Sequence, residues 1–308
     1  GPSSTQHALT VLVQVFDALN AASTASSSIT VSPSASPASD SILAQLSASA
    51  GSTEAVKNAI SISSEVLNRV SCDAAPPCAL LHRESCGKVE DTCGVCLTNY
   101  VGESGERNSK CVSSGLAASP TTLGVACSTT ADCSGWEVCE AVGAQQICSV
   151  PQKVCDSSCE AHGECVKTNL NTQQAVLDCR QNDPSCAAVC KCAQGYFGPC
   201  CALTAETQQA AQAVRSTLIS SLSNVTRSDD VSQDTLSGWS SSLAALTQDP
   251  YQLSGDAAGS VASVAQAVLS NAATLGGLSY SSTTGVLDAI SSAGAAVLRL
   301  NASSEAVV

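Results

Sequence analysis

The sequence predicts small disulfide-rich modules with short β-hairpins flanked by all-α helical segments, and three observations carry that expectation. All 19 cysteines fall between Cys72 and Cys201, whereas the segments on either side contain none. Outside that block, apolar residues recur at three- and four-residue spacing, the signature of amphipathic helices. Ala and Ser dominate the flanks and only two Phe, two Trp and four Tyr occur in 308 residues, so a helical core here rests on small side chains that each bury little area.

Cysteine usage also sets the compartment. At about 15 % of its segment the cysteine density exceeds the level that marks a disulfide scaffold, and such bridges persist only in oxidising surroundings. An extracellular protein is expected. With 26 acidic against 13 basic residues, the charge argues against nucleic acid or an anionic membrane as partner. No run of 18 apolar residues suggests a membrane span. Gln14 and Asp17 interrupt the best candidate for a signal-type core, and Met is missing altogether, so a mature chain or a piece of a longer one is expected.

Residues 1–71 read as a helical segment with a Ser/Pro-rich linker. Leu9, Leu12, Val13, Phe16 and Leu19 fit one helical face, which Val11 and Val15 widen. From Ser23 to Ser39 periodicity disappears, and Pro33 and Pro37 favour an extended loop. A second helix is predicted near Asp40, with Ile42, Leu43 and Leu46. A third is predicted from Thr53, burying Val56, Ile60, Leu67 and Val70.

Residues 202–308 form the second helical segment. Val214, Leu218 and Leu222 make one stripe; Leu236, Trp239, Leu243 and Leu246 make another, ended by Asp249-Pro250. Ser254 and Asp256 suit a helix start ahead of Val261, Val264, Val268 and Leu269, and a last helix is predicted to use Val286, Ile290, Val297 and Leu300. The two helical parts either pack as one discontinuous bundle or stand apart, and periodicity does not choose between these.

Between them, residues 72–154 hold two cysteine sets. These are Cys72, Cys78, Cys86, Cys93, Cys96, Cys111 and then Cys127, Cys133, Cys139, Cys148. Six cysteines allow fifteen pairings, so connectivity stays open there. A third set fills residues 155–201. Its order CDSSCEAHGEC followed by CKCAQGYFGPCC resembles the epidermal-growth-factor-like family, the likeness resting on Cys155, Cys159, Cys165, His162-Gly163, Cys190, Cys192, Gly195-Tyr196 and Gly198. That resemblance implies bridges Cys155 to Cys165, Cys159 to Cys190, and Cys192 to Cys201 or Cys200. An insertion with Cys179 and Cys186 departs from the family and looks like an added local bridge. The doubled Cys200-Cys201 is the other departure; Cys200 is the candidate for the odd sulfur, either a thiol within the chain, a vicinal bridge or an interchain link. Calcium-binding members carry acidic or amide ligands before the first cysteine, where this chain has SVPQKV, so no calcium is inferred. Residues 86–111 also resemble cysteine-rich repeats of protist and algal surface proteins.

Zinc is the rival reading for Cys93-x-x-Cys96 and Cys190-x-Cys192. It is disfavoured because metal fingers come in isolated fours and His7, His82 and His162 show no ligand spacing; each His reads as a surface or packing residue. No hydrolase elbow, zinc-protease helix, phosphate loop or dinucleotide fingerprint is present, so no catalytic, metal or cofactor site is assigned and an enzyme is not expected. Asn224-Val-Thr226 and Asn301-Ala-Ser303 are glycan acceptor sequons. The Ser-Pro pairs Ser32-Pro33, Ser36-Pro37 and Ser119-Pro120 resemble the hydroxyproline-glycosylated stretches of algal and plant wall glycoproteins; a bare linker is the plain alternative. The segment QDPYQLSGDAAGSVASVAQAVL, together with the Leu218 to Leu246 helices before it, resembles the helical part of the receptor-for-egg-jelly region of polycystin-like receptors over about a hundred residues. The assembly as a whole resembles subunits of mastigonemes, the glycoprotein hairs of algal flagella. The expectation is therefore a structural glycoprotein of a cell or flagellar surface fibre that associates with copies of itself. The alternative is the ectodomain of a polycystin-type adhesion receptor.

Overall fold

The computed structural model describes residues 8–30, 38–117, 121–155, 159–172 and 174–305. Six long helices form one bundle, and the cysteine-rich block is inserted between the second and third of them. Helices α1 (Ala38–Ser49) and α2 (Thr53–Leu67) precede the insertion. Two single turns lie within it, α3 (Ser114–Ala117) and α4 (Cys159–His162). After it come α5 (Ala205–Ser228), α6 (Gln233–Leu246), α7 (Gly255–Thr274) and α8 (Tyr280–Glu305). Ile42, Leu46, Ala59 and Ile60 share one apolar core with Val214, Leu218, Leu222, Trp239, Leu243 and Val268. The helical parts thus pack as a single discontinuous bundle.

Local chemistry explains the helix ends. The side chains of Ser52, Thr204, Ser232 and Ser254 accept N–H groups of the first turns of α2, α5, α6 and α7, satisfying donors that a helix start leaves open. After α7, Gly276 and Gly277 both take positive φ, and the Gly277 N–H closes back on the Ala272 carbonyl at 2.9 Å. Gly285 lets α8 approach α6: a Cβ there would meet the Ser240 carbonyl oxygen at 3.3 Å.

Two sequence expectations are corrected. Residues 8–30 are no helix and linker but an antiparallel ribbon, β1 (Ala8–Phe16) and β2 (Ala22–Thr30), paired in register from Ala8↔Thr30 to Phe16↔Ala22. Val11, Val13 and Val15 are β-branched at alternate positions, which suits a strand as well as the apolar spacing suits a helix. The deciding local feature is the turn. Asp17 Oδ1 accepts the N–H groups of Leu19 and Ala21 at 2.8 and 2.9 Å, and Asn20 takes φ 61°. The second correction concerns α8. Its core-facing residues are Val286, Ala289, Ala293 and Ala296, while Ile290, Val297 and Leu300 are exposed. In α7, likewise, Val261, Val264 and Val268 are buried but Leu269 is exposed.

The insertion divides as the cysteine sets do. Its first unit carries β3 (Tyr100–Val101) and β4 (Val112–Ser113), with bridges Cys72–Cys86, Cys78–Cys93 and Cys96–Cys111. The second is the hairpin β5 (Val138–Val142) and β6 (Gln145–Ser149), with Cys127–Cys139 and Cys133–Cys148. The third holds the hairpin β7 (Gly163–Asn169) and β8 (Cys186–Cys192) and the short pair β9 (Tyr196–Phe197) and β10 (Leu203–Thr204). Its bridges are Cys155–Cys165, Cys159–Cys190, Cys179–Cys186 and Cys192–Cys201. Thr204 ends β10 and caps α5, so the third unit runs into the bundle without a linker.

Candidate functional site

Three kinds of feature bear on function: the centres of the cysteine units, the seam where the insertion meets the bundle, and apolar side chains left in solvent. The units are organised by charged groups. In the first, Arg83 is 2 % exposed and donates to the carbonyls of Gly94, Gly105 and Glu103 at 3.1, 3.1 and 3.0 Å, as well as to Ser109. Five guanidinium donors thereby hold loops that lack a regular ladder. In the second, buried Glu137 accepts from the hydroxyls and a main-chain N–H of Thr121 and Thr122. Burial acts to raise its pKa, but those hydrogen bonds outweigh it and hold the carboxyl below its ordinary value.

The second and third units are joined by Lys153, whose Nζ donates to the Asp183 and Cys186 carbonyls at 2.7 and 2.8 Å. Arg180 Nη1 adds a bond to the Val150 carbonyl at 2.7 Å. The Cys179–Cys186 loop, an insertion relative to the resembled family, therefore clamps the chain entering the third unit. Two glycines sit against sulfur: a Cβ at Gly102 would lie 2.7 Å from Cys96 Sγ, and one at Gly163 2.8 Å from Cys201 Sγ. His82 stacks on Tyr100 and His162 on Tyr196, with ring centroids 4.2 and 3.9 Å apart.

At the seam the decisive residue is Arg215. It is 1 % exposed and donates to the Leu246 carbonyl at 3.0 Å, Gln252 Oε1 at 2.9 Å and Asn68 Oδ1 at 2.8 Å, with longer contacts to the Leu67 and Ala245 carbonyls. A cation thus faces the C-terminal ends of α2 and α6, where helix dipoles favour positive charge. Burial lowers its pKa to about 10, partly offset by Asp249. Asn68 Nδ2 donates to the Ala245 carbonyl at 2.8 Å, so the point where the chain leaves the bundle is fixed on both sides. At the far end of α5, away from the seam, Asp229 Oδ2 joins Lys57 at 3.1 Å and Trp239 Nε1 at 3.3 Å.

A cleft of about 510 Å³ opens between insertion and bundle, bordered by Lys88, Glu106, Pro199, Tyr251 and Asp288. Its groups are largely engaged. Asp249 accepts from the Tyr251 N–H at 2.9 Å and Gln252 Nε2 at 2.8 Å, Glu106 lies 3.8 Å from Lys88, and Arg299 covers the Tyr251 ring at 4.9 Å. A neighbouring crevice of about 280 Å³ is bordered by Phe197, Leu203 and Cys200, the last being 6 % exposed and outside the nine bridges. Cys200 therefore borders the seam and is buried. Cys93, Cys96, Cys190 and Cys192 are all bridged, and a bridged sulfur is not the thiolate that zinc requires.

Of the acceptor sequons, Asn224 is exposed on α5 and Asn301 falls in the last turns of α8. Ser32, Pro33, Ser36, Pro37, Ser119 and Pro120 lie outside the described residues, as does His7. Sequence reasoning missed Arg83, Glu137, Lys153 and Arg215. Only Arg215 left a signal: it falls in line with Ile219 and Leu222, at helical spacing within an apolar stripe.

Exposed large apolar side chains occur along the whole chain, and β1 and α8 each carry several of them on one element. On β1, Leu12 is 62 % and Phe16 59 % exposed, and every residue from Thr10 to Ser28 is exposed; on α8, Leu287 is 60 % and Leu298 73 % exposed. Among the described residues no helix is long and apolar enough to cross a membrane. Nine disulfides place the chain in an oxidising, extracellular setting. No protein-family model, curated protein or solved structure matches the chain.

Proposed function

We propose that this chain is a building unit of an extracellular surface fibre, such as a mastigoneme or a related glycofibril, and that its mechanism is association with copies of itself rather than catalysis. The observation that carries this reading is the apolar surface left uncovered on two separate elements, β1 and α8. Large exposed apolar patches mark interaction sites, and a chain with two different ones can propagate an assembly. The rest of the molecule suits a spacer. Nine bridges and the charged centres Arg83, Glu137 and Lys153 stiffen the insertion, and Arg215 fixes where it leaves the bundle.

Within this reading residues 155–201 are an epidermal-growth-factor-like module, supported by the bridges Cys155–Cys165, Cys159–Cys190 and Cys192–Cys201 around the β7–β8 hairpin. N-linked glycans on Asn224 and Asn301 and sugars on the Ser-Pro tracts complete the exterior.

Electron microscopy and sedimentation of protein from its native source test the proposal. Regular filaments are expected. A strictly monomeric native protein overturns it and favours the polycystin-type ectodomain instead. Intact mass before and after deglycosylation tests the sugars, and an unmodified mass rejects them.

A further inference from the structure

We infer that β1 is a strand-pairing edge for a second copy of itself: two β1 strands join antiparallel about Leu12, making a four-stranded sheet in the order β2-β1-β1′-β2′. This deepens the assembly reading, and rests on it, by naming one contact.

The edge is unprotected. Ala8–Phe16, ALTVLVQVF, has no charge, no Pro and no Gly, the devices by which proteins keep sheet edges from pairing. One side of β1 is hydrogen-bonded to β2; among the described residues no other strand pairs with it. An isolated two-stranded ribbon is marginal in water, so something completes it.

Strand spacing says what kind of partner is needed. Nine residues at ~3.4 Å span roughly 30 Å, and two strands are about 10 Å wide, so each face of the ribbon offers roughly 300 Å². That falls well short of the roughly 800 Å² per partner of a standard interface, so a body docking flat on one face gains little. Edge pairing adds main-chain hydrogen bonds and doubles each face.

The sequence of β1 is self-complementary in one antiparallel register. Thr10 and Gln14, its only polar residues inside the strand, lie symmetrically about Leu12. Centring the pair on Leu12 therefore sets Thr10 against Gln14′ on one face and Val11 against Val13′ on the other. A shift by one or two residues sets a polar group against an apolar one. β2 is not equivalent, since ASTASSSIT presents a Ser-rich edge. The contact is isologous, with a two-fold axis through Leu12, so it yields a dimer. A filament needs a second contact, for which the apolar face of α8 is free of the bundle core.

Cysteine cross-linking of the full chain tests the register, because directly opposed residues in an antiparallel pair lie about 4.5–5.5 Å apart, within disulfide reach. Leu12→Cys should give a covalent dimer on mild oxidation. Thr10→Cys and Gln14→Cys should each stay uncrosslinked alone and cross-link when mixed. Val13→Lys should weaken association roughly tenfold or more, since it places charge in the edge. Cross-linking by Thr10→Cys alone, or amorphous aggregation without a preferred pair, overturns the inference. Assembly unchanged by Val13→Lys overturns this contact while leaving the fibre reading intact. A monomer in which hydrogen exchange shows β1 protected, as when strands of a longer chain cover it, overturns the contact, and a monomeric native protein overturns both readings.

Discussion

The bundle and the insertion solve one problem in two ways. Both are built from a sequence with few aromatics, and neither can rely on large side chains. The bundle compensates with extent: six helices share a core in which Val, Leu and Ala surround a single buried Trp239. The insertion has almost no such core. Its buried apolar residues are eight cysteines, Val150 and Ala188, and beside them lie the buried charges Arg83, Glu103, Glu137 and Lys153. Covalent bonds and charge-to-backbone hydrogen bonds replace packing there. The two parts should therefore fail under different insults, although one polypeptide threads through both.

Reduction should separate them most sharply. Removing a native bridge from a small domain typically costs about 2–5 kcal/mol, comparable with the stability of each cysteine unit. With all nine bridges reduced, amides of residues 72–201 should lose exchange protection while the helical circular dichroism of the bundle persists. Loss of both signals together would show that the insertion is needed for the bundle to hold.

Arg215→Ala attacks the other side. It deletes the cation that gathers the Leu246 carbonyl, Gln252 and Asn68, leaving buried acceptors unmatched, and should lower bundle stability by about 3–5 kcal/mol. The disulfide map should stay unchanged. Arg83→Ala is the mirror experiment. Arg83 is central to the first cysteine unit only, so local exchange between residues 72 and 111 should rise with little change in the thermal unfolding of the bundle. If Arg83→Ala lowers the bundle transition as much as Arg215→Ala, the two regions are energetically one.

How much of this was legible follows the same division. The stripes of α5, α6 and α7 could be read because Leu and Val mark the buried face at a 3.6 period. In α8 the core face is Ala289, Ala293 and Ala296, and Ile290 and Val297, more hydrophobic but exposed, drew the reading to the wrong side. β1 reads as a helix because nine apolar-rich residues satisfy both periods, β2 reads as linker because its Ser-rich run has no apolar period, and the clearest strand signal lies in the Asp17–Asn20 turn. In the third unit a family resemblance implied three pairings and the Cys179 and Cys186 insertion, a departure from that family, suggested a local bridge, whereas the cysteines from Cys72 to Cys148 had no such guide. The charged centres were nearly invisible: Arg83, Glu137 and Lys153 sit in loops, where no periodicity distinguishes a buried charge from a solvated one.

Glu137 gives the finest discrimination between the regions, through pH. Its carboxylate receives the Thr121 and Thr122 hydroxyls and the Thr122 N–H, which keep its pKa below the ordinary 4.5 despite burial. A carboxyl whose folded pKa is depressed contributes stability fully present above its unfolded value and lost as pH falls through the folded one. The β5–β6 hairpin should therefore lose exchange protection, relative to the intrinsic amide rate at each pH, below about pH 4.5, while the bundle, whose buried charge is the Arg215 guanidinium, keeps its protection over the same window. Glu137→Gln should remove that acid step, because a neutral amide cannot titrate. It should also loosen the hairpin at neutral pH by about 1–3 kcal/mol, since the amide group presents donors where the threonines already donate. A Glu137→Gln hairpin with the same acid step as the parent chain would mean that another group sets the pH response of this unit.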